Sequence, residues 1–348
     1  MPCYYPKVRV EHKGKWETAS DGHKYHPAKI MSLADLSNDI NLHDSHTYKN
    51  TIIPCRNCIG CRLDYSRDWA NRGYLEAKYH KDKTWFVTLT YDDENLDIAD
   101  VIETKKGITF TNDGTWTATL NKDHFTQFIK GLRKLYNRET GKTFKFMGCG
   151  EYGDPKKTFR PHYHLILFGL EFPTETFFEP RLIEHNFYYR NKWIERIWKH
   201  GISNITEANW QTIAYVARYI TKKINGDGSE ELYASAGKIK EFFRVSKGIG
   251  KQYYEEYKDK IYTHDQITVA HGDKAITSTP PKYFDNLMKK ENEEKIKKIK
   301  EKREKNNKYS IIQKMKGTSK TYNEQLIIEA EAHANRAKAL TRRLEKDK

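Results

Sequence analysis

Two histidines stand one residue apart before an apolar run, in Arg160-Pro161-His162-Tyr163-His164-Leu165-Ile166-Leu167-Phe168-Gly169. Leu165 to Phe168 suits a buried strand. If the strand begins at His162, its two-residue period puts His162 and His164 on one face and Tyr163 on the other. Paired imidazoles on a rigid strand are half of a metal site. The plainer reading is two surface or hydrogen-bonded histidines, since His-x-His also occurs by chance.

A second set of donors is Cys55-x2-Cys58-x2-Cys61. Thiols at this spacing suit zinc, but a structural zinc site needs four ligands. Cys3, His12, His23 and His26 are the candidates for the fourth. Reduced structural thiols and an iron–sulfur cluster are the alternatives. Cys149 reads as a small core residue.

The third stretch is Ile213-Ala214-Tyr215-Val216-Ala217-Arg218-Tyr219-Ile220-Thr221-Lys222-Lys223. On a helical wheel Ile213, Val216, Ala217 and Ile220 form an apolar stripe, and Tyr215, Tyr219 and Lys222 fall opposite. Phenols four residues apart are neighbours on one helix face. They could simply pack against a second layer. They could instead be two interchangeable nucleophiles with a lysine beside them. A phenol of pKa about 10 needs activation to attack at neutral pH. A nearby ammonium favours the phenolate, and a metal draws charge from a phosphate under attack.

These stretches need elements to position them. Residues 1–81 read as an irregular Cys/His-rich region ending in a helix over 64–81. Residues 82–285 read as the principal domain. Trp85 to Tyr91 is a strand by its β-branched and aromatic content. A hairpin over 108–120 turns at Asn112-Asp113-Gly114. Phe125, Phe128, Ile129, Leu132 and Leu135 recur at helical spacing, followed by Gly141. A strand over 143–150 precedes the histidine strand. A helix over 190–200 has Gly201 as its C-terminal cap. A short strand over 202–205 and the tyrosine helix follow. This alternation predicts an α+β fold with a central, mainly antiparallel sheet flanked by helices. Residues 286–348 are rich in Lys and Glu and read as a charged helical or disordered arm.

The formal net charge of +15 favours a polyanionic partner, nucleic acid before a membrane surface. No apolar run reaches the roughly 20 residues of a spanning helix. The N-terminus lacks the apolar core of a signal peptide, so cytosolic residence is expected. Arg56, Arg62, Arg67, Arg72, Lys156, Lys157 and Arg160 are candidate phosphate contacts.

A histidine strand followed downstream by a tyrosine helix resembles the HUH endonucleases that initiate rolling-circle replication. Tyr-Val-Ala-Arg-Tyr-Ile-Thr-Lys at 215–222 resembles the Tyr-x-x-Lys-Tyr-x-x-Lys motif of phage initiators, with Arg218 replacing the first lysine. Phe86 to Tyr91 resembles the family's first motif strand. Gly150-Glu151-Tyr152-Gly153 and Pro-Cys-x2-Cys-x2-Cys are similar to the gokushovirus group of microviruses, as is the segment Phe242 to Gly250. The resemblance spans about residues 54 to 225. It implies an HUH endonuclease/RRM-like core, with His162, His164 and Glu151 holding Mg²⁺ or Mn²⁺. It implies catalysis by Tyr215 and Tyr219 with Lys222, and DNA contacts from Arg160, Arg218 and Lys223. Its expected partners are single-stranded DNA, a viral replication origin, and the host helicase and polymerase, in the cytoplasm of a bacterial host. A relaxase, a transposase and a non-catalytic zinc-stabilised nucleic-acid-binding protein are the competing readings. A His-x-His-x-His phosphohydrolase is disfavoured, because Ile166 stands at the third position.

Overall fold

The computed structural model of the protein describes residues 3–22, 24–96, 98–99, 101–104, 107–110, 117–153, 160–183, 186–222, 238–271 and 274–339. The turn at Asn112-Asp113-Gly114, together with Lys156, Lys157, Lys223 and His23, lies outside the described residues. The chain divides into two compact units, residues 65–304 and residues 1–64 with 305–348.

The larger unit is built on a seven-stranded sheet. Its strands, numbered in chain order, are β1 (Thr84–Tyr91), β2 (Lys145–Tyr152), β3 (Pro161–Phe168), β4 (Phe177–Ile183), β5 (Asn186–Asn191), β6 (Gly201–Glu207) and β7 (Phe242–Val245). They lie in the order β4-β5-β6-β1-β3-β2-β7, and every neighbouring pair is antiparallel. The expected α+β sheet is therefore present. The histidine strand β3 is central, and all eight of its residues are buried.

The longer helices, in chain order, are α1 (Ile59–Ala77), α2 (Lys122–Thr140), α3 (Lys192–Ile197), α4 (Trp210–Lys222), α5 (Lys251–His264), α6 (Lys282–Glu291), α7 (Glu293–Met315) and α8 (Tyr322–Ala339). Phe125, Phe128, Ile129, Leu132 and Tyr136 of α2 pack against Tyr163, Leu165 and Leu167, the face of β3 opposite the histidines. Each large side chain so buried contributes about 1.5–3 kcal/mol relative to exposure. The helix starts where the Asn121 side chain accepts from the Asp123 and His124 amides, and stops at left-handed Gly141. Tyr163 ties sheet to helix: its hydroxyl donates to the Asn121 carbonyl (2.7 Å), accepts from the Asn121 amide (2.9 Å) and meets the Tyr91 hydroxyl (2.6 Å).

The tyrosine helix α4 packs on the other face. Asn209 starts it by accepting from the Thr212 amide (2.9 Å). Gly73 of α1 allows a close crossing here, since a Cβ on it would sit 2.8 Å from Ile213 Cγ2 and 2.9 Å from Met147 Sδ.

Two expectations need correction. Helix α3 is confined to Lys192–Ile197, and the residues before it form β5. Asn191 accepts from the Trp193 and Ile194 amides and so fixes a later start. Gly201 is not a helix cap but the first residue of β6. Its φ is +143°, and a Cβ there would fall 2.3 Å from the Asp92 amide nitrogen, so only glycine fits. The stretch from Ser246 to Gly250 is structural: the Gly250 amide donates to the buried Glu76 carboxylate (2.7 Å) and opens α5.

The smaller unit is more regular than expected. Lys7–His12 pairs with Ala28–Ser32 on one side and Tyr48–Ile53 on the other, all antiparallel. Val8 and Val10 point into its core. Residues 305–339, within the charged C-terminal stretch, form the rest of α7 and all of α8. No helix among the described residues is long and apolar enough to cross a membrane.

Candidate metal centre and tyrosine helix

Register builds the site. In the ladders around β3, Glu151 faces His162 and Cys149 faces His164 on one side; Thr90 faces His162 and Thr88 faces His164 on the other. Glu151 Oε1 lies 2.7 Å from His162 Nε2 and 3.1 Å from His164 Nε2. The three side chains are buried, and one ligand atom from each falls within 4.8 Å of the others. Glu151 is thus a strand residue only 2% exposed, not a solvated loop carboxylate.

The hydrogen bonds behind the rings orient them. His162 Nδ1 lies 2.9 Å from the Arg160 carbonyl oxygen, which can only accept, so this nitrogen carries a proton. His164 Nδ1 meets the Thr88 hydroxyl at 3.0 Å. Both Nε2 atoms therefore turn towards Glu151. When the proton of each neutral ring sits on Nδ1, two imidazole lone pairs and a carboxylate oxygen face one another. A divalent cation satisfies that donor set, and outer partners of this kind are what metal-ligating histidines carry. Burial pushes the Glu151 carboxyl up, but the hydrogen bonds and charges of His162 and His164 outweigh it. They hold the group below the usual carboxylate range.

Helix α4 brings both tyrosines to the same place. The Tyr215 hydroxyl is 3.4 Å from His164 Nε2. Tyr219 stacks on the His164 ring at 5.4 Å and 18°, and Phe86 stacks on it at 5.5 Å and 14°. Tyr215 stands edge-on to His164 (5.0 Å, 80°), to Tyr219 (5.0 Å, 87°) and to Phe86 (5.9 Å, 88°). Both tyrosines are buried against the histidine face of the sheet, and Thr212, Ile213, Ala214, Val216 and Ala217 are buried with them. Thr88, Phe86 and the Arg160 carbonyl are the supporting groups that spacing alone did not single out. The two-residue period of β1 does place Phe86, Thr88 and Thr90 on one face, which was the available signal.

The remaining candidates divide. Arg160 sits just before β3, donating to the Tyr91 carbonyl (3.1 Å) and pairing with Asp93 (2.6 Å). Arg218 is half-buried on α4, and Lys222 lies in the helix's last turn. Arg72 is not a phosphate contact. It is buried between Trp69 (3.9 Å) and Tyr283 (4.1 Å) and donates to the Ile249 carbonyl.

The cysteines form a second donor cluster. Cys3 joins Cys55, Cys58 and Cys61, with one sulfur from each within 4.8 Å of the others. Burial raises the Cys58 thiol, but the Cys61 and Tyr4 amides donating to it outweigh this and lower it to about 7. Cys149 is fully buried opposite His164 on the neighbouring strand, as expected of a core residue.

The chain is similar to several known proteins. A family model described as replication-associated protein ORF2/G2P matches residues 84–224, from β1 to just past α4. The chain is 36% identical to replication-associated protein ORF2 of Spiroplasma virus 4, over 100% of both chains. It is 30% identical to replication-associated protein ORF4 of Chlamydia phage 1, over 68% of this chain and 54% of that one. It is also 30% identical to replication-associated protein VP4 of Bdellovibrio phage phiMH2K, over 70% and 69%. No solved structure matches it.

Proposed function

We propose that this chain, which belongs to the replication-associated protein ORF2/G2P family of phages, nicks and rejoins single-stranded DNA at a viral origin through a covalent tyrosine intermediate. The observation that carries the reading is the Tyr215 hydroxyl 3.4 Å from Nε2 of His164, the nitrogen that also faces Glu151. A candidate nucleophile and a candidate metal centre therefore stand side by side in the buried space between sheet and helix.

Glu151, His162 and His164 are the residues that would hold Mg²⁺ or Mn²⁺; the carboxylate is the oxygen donor both ions favour, and imidazole nitrogen is accepted more readily by Mn²⁺ than by Mg²⁺. Bound there, the ion would withdraw charge from a non-bridging oxygen of the scissile phosphate. The protein's own part is nucleophile and orientation. A tyrosine oxygen attacks phosphorus in line, the bond from phosphorus to O3′ breaks, and the 3′ oxygen leaves with a proton as a hydroxyl. The phosphate stays on the 5′ strand as a phosphotyrosine, which conserves the bond energy, so no nucleotide is consumed. The free 3′-hydroxyl primes a host polymerase, with a host helicase opening the duplex. When the origin is regenerated, the second tyrosine attacks it, and the new 3′-hydroxyl displaces the first phosphotyrosine to close a circle. Two phenols on one helix make both steps possible at one centre. Lys222 favours the phenolate, and Arg160, Arg218 and Lys223 hold the DNA backbone. The reaction belongs in the cytoplasm of a bacterial host.

Incubation with single-stranded origin DNA and Mn²⁺ is expected to give a DNA–protein adduct that survives denaturation. Its persistence in a Tyr215→Phe/Tyr219→Phe double variant would refute the assignment. Undiminished cleavage by a His162→Ala/His164→Ala variant would refute the metal role.

A further inference from the structure

The four-cysteine cluster has a specific neighbour. Tyr4 and Cys58 are buried together with Leu326 and Ala330 of helix α8, and Cys3, Cys55, Cys61, Ile59 and Tyr322 pack around them. The Tyr4 ring also meets His333 at 5.7 Å. Tyr322, Leu326, Ala330 and His333 follow one another at helical spacing, so α8 turns one narrow face to the cluster. All of these residues belong to the smaller unit.

The sulfurs are arranged for a metal ion rather than for disulfides. Cys3 Sγ and Cys58 Sγ are 3.9 Å apart. A disulfide requires about 2.05 Å, whereas the edge of a thiolate tetrahedron around zinc, with Zn–S of about 2.3 Å, is about 3.8 Å. Backbone amides already point at the sulfurs: Cys55 N to Cys3 (3.1 Å), Cys58 N to Cys55 (3.3 Å), and Tyr4 N and Cys61 N to Cys58 (3.4 and 3.5 Å). Arg56, left-handed at φ 66°, makes the turn between Cys55 and Cys58. Such amides partly neutralise thiolates, and a divalent cation cancels two of the four negative charges outright.

We propose that Cys3, Cys55, Cys58 and Cys61 bind one zinc ion as a structural tetrathiolate site, and that this site is the platform on which helix α8 docks. Binding releases the thiol protons to solvent and involves no redox change. Helix α8 has 18 residues, and Leu326 and Ala330 are its two buried apolar side chains among those described. A helix with so narrow an apolar face is marginal in water without a partner. The zinc site supplies that partner by fixing Tyr4, Cys58 and Ile59 beneath it. Zinc therefore joins the N-terminal segment, the start of α1 and the C-terminal helix into one folding unit.

The test uses the full chain purified without chelator. Elemental analysis is expected to find one zinc per chain, and none in a Cys58→Ser/Cys61→Ser variant. Replacement by cobalt is expected to give the visible bands of a tetrahedral tetrathiolate. Removal of zinc by a chelator is expected to speed hydrogen exchange at 322–339 at least ~10-fold, as local opening is released, while β1 and β3 stay protected. Leu326→Asp leaves every thiol in place and is expected to retain zinc while giving the same faster exchange. Absence of zinc, or iron with labile sulfide instead, overturns the site. Unchanged exchange at 322–339 after zinc removal overturns the docking role.

Discussion

Glu151 lies directly across the β2–β3 ladder from His162, with its Oε1 2.7 Å from His162 Nε2. The pairing of two consecutive strands thus places a carboxylate beside two imidazoles, and the neighbouring strand places Thr88 behind His164. The centre rests on three adjacent strands of the sheet rather than on loops.

Thr88 is expected to act through His164. Replacing it by valine keeps the shape but removes the hydroxyl that fixes the ring. Loss of such an outer partner typically weakens metal affinity about 10- to 100-fold. A Mn²⁺ titration of DNA cleavage by Thr88→Val should shift by that amount, with activity restored at saturating metal. An unshifted titration would remove Thr88 from the site.

Basic residues that read alike in sequence should separate by salt dependence. Arg160→Ala and Arg218→Ala are each expected to reduce the slope of log affinity for single-stranded DNA against log salt by about 1. Arg72→Ala should lower the unfolding midpoint and leave that slope unchanged, since Arg72 is stacked inside the fold. Equal effects of all three on the slope would contradict the division.

Glu76 should govern acid stability. Burial pushes its carboxyl up, but hydrogen bonds from His80, Lys145 and the Gly250 amide outweigh this and lower it. A depressed carboxyl contributes stability that is present above its ordinary range and lost as pH falls through the folded value. Glu76→Gln is expected to cost about 2 kcal/mol at neutral pH, moderated because Lys145 is 37% exposed. Urea midpoints measured against pH should show this gap shrinking below the usual carboxylate range. A gap constant with pH would contradict it.

What the sequence made legible was local. The alternation of His162 and His164, and the four-residue spacing of Tyr215 and Tyr219, follow from strand and helix periods, and each pair shares a face as those periods require. Glu151 was visible by resemblance and by the closeness of its strand to the histidine strand, but spacing alone did not fix the register that sets it opposite His162. Thr88 was hidden because 76 residues separate it from His164. Cys3 could not be chosen over three histidines, since 52 residues separate it from Cys55. Gly201 was misread because helix caps and close strand approaches both demand glycine. The Lys7–His12 strand was overlooked although Val8 and Val10 alternate correctly, because the many polar residues around it masked the pattern.

The central claim is that Tyr215 and Tyr219 are the groups that become joined to DNA. After a single turnover with Mn²⁺ and single-stranded origin DNA, the protein is digested and the nucleotide-bearing peptide identified by mass spectrometry. The geometry, with the Tyr215 hydroxyl turned to His164 Nε2 and Tyr219 stacked on the ring, predicts a 5′-phosphate remnant chiefly on Tyr215, moving to Tyr219 in Tyr215→Phe. A remnant on any other residue, or cleavage with no covalent remnant, would contradict the account.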